Sequence, residues 1–279
     1  MSAEAAHDAM NAHDAMISHD AMIARDDRSR AKRLFLVASL AVVVLASMWT
    51  TGVLDPERFA DAWPAIAQIS REMFPPDFRR ASQWALPLLD TFTMSISGTA
   101  LAVALAAPLS LLAARTTTPS MIHYRAARLL LNLLRSIPEL IMGILFVAFV
   151  GFGSLPGVLA LGLHSAGMVA KFFAESIEHA DPKPLEVARA AGATPFQIIW
   201  RALLPQILPQ LADTAIYRWE YNFRASTVLG AVGAGGIGFE LISSLRILDY
   251  AQVSAIIICI FVCVTIVDGV GALLRERLE

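Results

Sequence analysis

Apolar residues in this chain gather into long uninterrupted runs, with polar residues confined to short stretches between them. The first run reaches from Leu34 to Leu54 (LFLVASLAVVVLASMWTTGVL), and five more follow over residues 86–114, 134–152, 157–178, 207–232 and 252–273. About twenty residues of α-helix span roughly 30 Å, the thickness of a bilayer's hydrocarbon core. The pattern therefore predicts an all-α integral membrane protein with six transmembrane helices, the first over 33–54 and the remaining five within a core over 86–275. The segment 55–85 between them is polar and contains proline and tryptophan; within it ERFADAWPAIAQISREMF has the pattern of an interfacial amphipathic helix.

Composition strengthens this picture. Hydrophobic residues make up 56% of the chain and charged residues 16%, against about 25% charged in ordinary soluble domains. The net charge of −2 decides little, but its distribution is informative. Arg25, Arg28, Arg30, Lys32 and Arg33 precede the first run, Arg115, Arg125, Arg128 and Arg135 follow the second, and Arg275 and Arg277 follow the last. Positively charged flanks stay in the cytoplasm, which predicts a multi-pass membrane protein with both termini cytoplasmic and 55–85 extracytoplasmic. Arg58, Arg71, Arg79 and Arg80 count against that assignment.

Residues 1–32 form a separate low-complexity region in which HDAM recurs at His7, His13 and His19. On a helix, a spacing of six turns successive side chains by about 240°, so these histidines share no face for a metal. A disordered cytoplasmic tail is expected. Cys259 and Cys263 lie four apart within an apolar run and read as small packing residues.

The most structured polar stretch is DPKPLEVARAAGATPFQIIWRALLPQILPQL, within a loop over 180–205. Pro182 and Pro184 suit a first helical turn, Gly192 a helix end, and Thr194-Pro195-Phe196-Gln197 a capping box that opens a second helix. Pro205 is expected to break or kink the chain before the next span. The result is a cytoplasmic helix–turn–helix, suited either to docking a partner or merely to joining two spans.

Charged residues also occur inside predicted spans. Arg218, Glu220 and Arg224 would cost of order 8–10 kcal/mol if all faced lipid, so they must face the bundle interior, each other or water. Glu220 and Arg224 are four apart and can pair on one helix face, which leaves Arg218 without an obvious local partner. His164, Lys171 and Glu175 form a polar stripe on the fourth span, readable as a local Lys171–Glu175 pair or as a water-lined path for an anion. Beyond them, GAGGIG matches G-x-G-x-x-G through Gly233, Gly235 and Gly238, but it follows a membrane helix rather than a strand, so it is read as a turn and not as a dinucleotide site. That turn, Gly236 included, could present backbone N–H groups to an anion at an external gate. The chain contains no G-x-x-x-x-G-K-[ST] loop for ATP.

The 180–205 loop resembles the EAA loop of the inner-membrane permeases of bacterial ABC importers, with Glu186, Ala188, Gly192, Leu204 and Pro205 in register and departures at Val187 and Ala202. Segments 90–116, 135–140 (RSIPEL) and 217–238 (YRWEYNFRASTVLGAVGAGGIG) narrow the resemblance to phosphonate and phosphite importer permeases, over residues 84–275. It implies a type I ABC importer permease-like fold in which the loop is a coupling helix. It implies as partners cytoplasmic ATPase subunits, an extracytoplasmic binding protein and a second permease copy, with no nucleic acid. It also implies no cofactor on this chain, with ATP and Mg on the ATPase. Under it, Arg218, Glu220, Asn222, Arg224, Gly233, Gly235, Gly236, Lys171, Glu175 and His164 are candidates for the substrate pathway and gate. The rivals are an ABC permease for methionine or another small solute, and a secondary anion transporter independent of ATP. A membrane enzyme would need a constellation that the scattered His123, His164 and His179 do not provide.

Overall fold

The computed structural model describes residues 30 and 32–277, and these contain helices and no strand. The HDAM repeats lie outside the described residues. The chain divides into two units, residues 1–68 and 69–279. In the first, α1 (Lys32–Thr50) is long and apolar enough to cross a membrane. It is followed by α2 (Pro56–Glu72), which opens with Glu57 in its first turn.

The second unit is built on a pair of long helices, α3 (Ala85–Ala113) and α6 (Ser154–His179). They run in the same direction. Near their N-termini a side chain added at Gly157 would meet Met94, midway one at Gly98 would meet Leu161 and one at Gly162 would meet Leu101, and at the far end the Arg115 N–H donates to Glu178 Oε1 at 2.8 Å. Without a hydrophobic driving force inside lipid, close approach of backbones supplies the packing energy, and small residues permit it. Ala102, Ala106, Ala113, Ala166, Ala170 and Ala174 fill the same interface and are fully buried.

Two parallel neighbours need a return connection. α4 (Met121–Ser136) supplies its first half, running antiparallel to α6 from the Arg128–Glu178 ion pair (3.3 Å) to Arg135 beside Gly167. α5 (Glu139–Val150) supplies the second half at an angle of 86° to α4. The expected straight span over 134–152 is thus a broken one. Ile137 precedes Pro138, whose ring excludes the helical conformation for its neighbour, and both residues are extended (ψ 119° and 141°). The stretch before the bend, expected as a loop, is the amphipathic helix α4.

The cytoplasmic-loop candidate forms α7 (Pro182–Ala190) and the short α8 (Pro195–Ile198), which passes through one wide turn (Ile199–Leu203) into α9 (Leu204–Leu229). Pro205 does not break the chain here. It sits in the first turn of α9, where a missing N–H is tolerated, and the distortion it was expected to bring takes the form of the wide turn directly before it. A glycine-rich turn, α10 (Ile237–Arg246) and α11 (Tyr250–Glu276) complete the unit. Among the described residues, four helices are each long and apolar enough to span a membrane, and up to six spans result if each bent pair counts as one.

Candidate functional site

Halfway along α3, α6 and α9, polar side chains meet in the interior. Arg218 is 4% exposed; its Nε donates to Ser165 Oγ at 2.8 Å, and its guanidinium lies over the Tyr221 ring, 4.1 Å from the centroid. The Ser165 hydroxyl donates to Asn222 Oδ1 (2.8 Å), and Asn222 Nδ2 donates to Thr99 Oγ1 (2.9 Å). Tyr221 carries the network to the bend between α4 and α5, its hydroxyl donating to Glu139 Oε1 at 2.8 Å. The other Glu139 oxygen lies 3.3 Å from His164 Nε2, and His164 Nδ1 lies 3.0 Å from the Ile137 carbonyl that the bend leaves free. Arg218 thus has partners in Ser165 on α6 and Tyr221 on its own helix. Its Nη2 is buried and has no acceptor among the described residues, and the same holds for Arg135 Nε.

The expected pairing of Glu220 with Arg224 is not the one formed. Glu220, 6% exposed, pairs with Arg275 (2.9 Å), and Arg224 pairs with Asp268 (2.8 Å). α11 packs antiparallel to α9 and presents Asp268 and Arg275 seven residues apart on one face, so Arg224 and Glu220 each meet an opposite charge across the interface. Gly271 makes the approach possible, because a side chain there would occupy the place of the Glu220 carboxylate. The polar stripe on α6 also divides. His164 joins Glu139, whereas Lys171 and Glu175 form a half-exposed local pair at 3.5 Å.

At the opposite end from α7, Gly233, Gly235 and Gly236 adopt φ of +101°, +79° and +72°, a region that side chains disfavour. The turn is anchored: Gly233 O accepts from Gly153 N–H (3.1 Å), and Ile237 N–H donates to Thr91 Oγ1 (2.9 Å). Gly238 packs against the Thr227 carbonyl so closely that no Cβ fits.

The 180–205 loop has a tightly determined backbone. Asp181 caps α7 by accepting from Lys183 N–H (3.0 Å). At its end the Ala193 and Gly192 N–H groups donate to Ala188 O (3.0 Å) and Arg189 O (2.9 Å), with Gly192 at φ +80°. This double bond pattern is a Schellman motif, which satisfies the last carbonyls of a helix. Thr194 and Gln197 form the reciprocal capping box that starts α8. Leu185, Ile198 and Leu203 anchor the pair to the core, and Ala188 packs half-buried beside them. Glu186 faces outward, with Val187 (70% exposed) and the stacked rings of Phe196 (72%) and Trp200 (61%). Leu204 is half-buried and Pro205 exposed.

Residues 82–279 match the family described as binding-protein-dependent transport system inner membrane component. The chain belongs to this family. Its members and relatives are transport permeases, and the chain is a multi-pass membrane permease of type I ABC importer fold. It is 56% identical to the phosphite transport system permease protein PtxC of Stutzerimonas stutzeri over 248 residues, 89% of this chain and 90% of that one. It is 37% identical over 234 residues to the phosphate-import permease protein PhnE of Mycolicibacterium smegmatis, covering 84% of this chain and 44% of that one. Among solved structures, it superimposes on a chain of the methionine ABC transporter MetNI with a TM-score of 0.63 at 23% identity, covering 70% of this chain and 96% of that chain.

Glu139, Tyr221, Ser165, Thr99 and Asp268 were not among the sequence candidates. Two of them carried a readable signal: Glu139 is a lone carboxylate opening an apolar run, and Asp268 a lone carboxylate inside one.

Proposed function

We propose that this chain is the permease subunit of an ATP-driven ABC importer that moves phosphite- or phosphonate-type oxyanions across the bacterial inner membrane. The observation that carries the reading is its 56% identity, over nine-tenths of both chains, to a phosphite permease. The buried Arg218 supports it, because a permanently charged, planar donor set suits the oxygens of a small phosphorus oxyanion.

In this reading two copies of the chain pair to form the pathway. A binding protein delivers the anion from outside, and both termini lie in the cytoplasm. Arg218, Glu220, Asn222, Arg224, Lys171, Glu175 and His164 line or support the path, with Gly233, Gly235 and Gly236 at its outer gate. ATP and Mg belong to the cytoplasmic ATPase, and this chain carries no cofactor. The ATPase docks on α7 and α8, where Glu186 offers charge and Val187, Phe196 and Trp200 offer apolar area. The Schellman turn at Gly192 and the anchors Leu185, Ile198 and Leu203, with Ala188 packed beside them, make that surface stiff enough to pass closure of the ATPase on to α9, which Leu204 and Pro205 open.

The test is co-purification and transport with Glu186→Lys. Permease, ATPase and binding protein are reconstituted and offered labelled phosphite, methylphosphonate and methionine in parallel. The proposal expects phosphite or methylphosphonate to enter with ATP, methionine to be ignored, and the variant to lose both ATPase and uptake. Preference for methionine would assign the chain to another solute.

A further inference from the structure

The cluster around Arg218 holds donors in excess of acceptors. Arg218 Nη2 and Arg135 Nε are both buried without an acceptor among the described residues, and the two side chains reach α6 within one turn, at Ser165 and Gly167. His164 joins them from that same turn. The carboxylate joined to this group is Glu139, with one oxygen held by Tyr221 and the other facing His164. Glu139 stands in the first turn of α5, where the first N–H groups of a twelve-residue helix favour negative charge. It also directly follows the extended pair Ile137–Pro138, the one break between α4 and α5.

We propose that Glu139 is a built-in surrogate for the transported anion. Its carboxylate holds the donors of Tyr221 and the α5 N-terminus, beside His164, until a tetrahedral oxyanion displaces it and takes up the unused N–H groups of Arg218 and Arg135. The inference rests on the reading that this cluster lies on an anion path, and it adds the residue that sets occupancy. A carboxylate and a phosphorus oxyanion present oxygens of like charge to the same donors, so both cannot hold them at once. A resident carboxylate keeps the pathway electrostatically quiet and keeps the anion's residence short, which a conducting site requires. The bend beside it supplies a joint about which α5 can carry Glu139 aside.

The experiment measures equilibrium binding of labelled phosphite, phosphate and sulfate to the purified permease–ATPase complex without nucleotide. Glu139→Gln keeps an acceptor for Tyr221 and removes the competing charge. It should tighten oxyanion binding about tenfold, the worth of one charge-assisted contact. Glu139→Gln with Arg218→Gln should return binding to the wild-type level or below. Glu139→Asp, whose shorter arm withdraws from Tyr221, should tighten binding in the same direction and serves if the glutamine variant does not assemble. Unchanged or weaker binding in an assembled glutamine or aspartate variant would overturn the proposal. Failure of the complex to take up phosphite with ATP would refute the transport reading instead, and Glu139-dependent binding of phosphate or sulfate would stand apart from it.

Discussion

Removing the Arg275 side-chain charge by Arg275→Gln isolates Glu220, a carboxylate 6% exposed and 2.9 Å from its partner. Breaking a buried ion pair from one side costs about 3–5 kcal/mol, because the remaining charge is left uncompensated. The Arg275 side chain is 30% exposed, so water softens the loss and about 3 kcal/mol is the appropriate figure. Its second approach, to Asp213 at 4.0 Å, is exposed on the aspartate side and contributes little. At about 2–4 °C per kcal/mol for a chain of this size, the thermal midpoint of the purified complex should fall by about 6–12 °C. Glu220→Gln with Arg275→Gln places two amides where the charges were and should recover most of that loss, giving a coupling of about 2 kcal/mol. The same cycle run on Glu220 and Arg224, neighbours on one helix, should give a coupling below about 0.5 kcal/mol, because Arg224 is held by Asp268. A shift under about 2 °C for Arg275→Gln, or stronger coupling to Arg224 than to Arg275, would refute the pairing across α9 and α11.

Three further predictions concern the turns and the exposed face. Gly192→Val forces a branched side chain into φ +80° at a cost of about 1–2 kcal/mol; ATP-dependent uptake should fall several-fold while the spans stay assembled, as read by gel filtration and transport in parallel. Gly238→Ala drives a methyl group into the Thr227 carbonyl, which is backbone and cannot yield, so the yield of assembled complex should drop sharply; wild-type yield would contradict the packing. Phe196→Ser with Trp200→Ser removes the exposed stacked pair and should abolish co-purification of the ATPase without lowering the thermal midpoint of the permease, and retention of the ATPase would place its docking surface elsewhere.

Long apolar runs, proline and glycine punctuation and the Thr194–Gln197 box made the helices and the 180–205 hairpin legible, because these signals are local. The pairing of charges was not legible. Which charge meets Glu220 depends on α11, some fifty residues away, and on a glycine at 271 whose purpose appears only when the carboxylate lies against it. The i,i+4 rule offered a nearer partner, and packing overrode it. The bend at Ile137–Pro138 was present as a Ser-Ile-Pro-Glu string, but hydropathy averages across it and reports one straight span. Asn222 and Arg218 could be picked out as polar residues within a span. Ser165 and Thr99 could not, because small hydroxyls are common in membrane helices and gain meaning only through the partners they meet.

The central claim is that this chain provides an ATP-gated route for a phosphorus oxyanion. The most direct test is the initial rate of labelled phosphite entry into vesicles that contain the permease, its ATPase and its binding protein, with and without ATP and at matched pH across the membrane. The account predicts entry that requires ATP and the binding protein and is lost in Arg218→Gln. Entry that proceeds without ATP and follows an imposed pH gradient would contradict it, and would make the chain a secondary anion transporter.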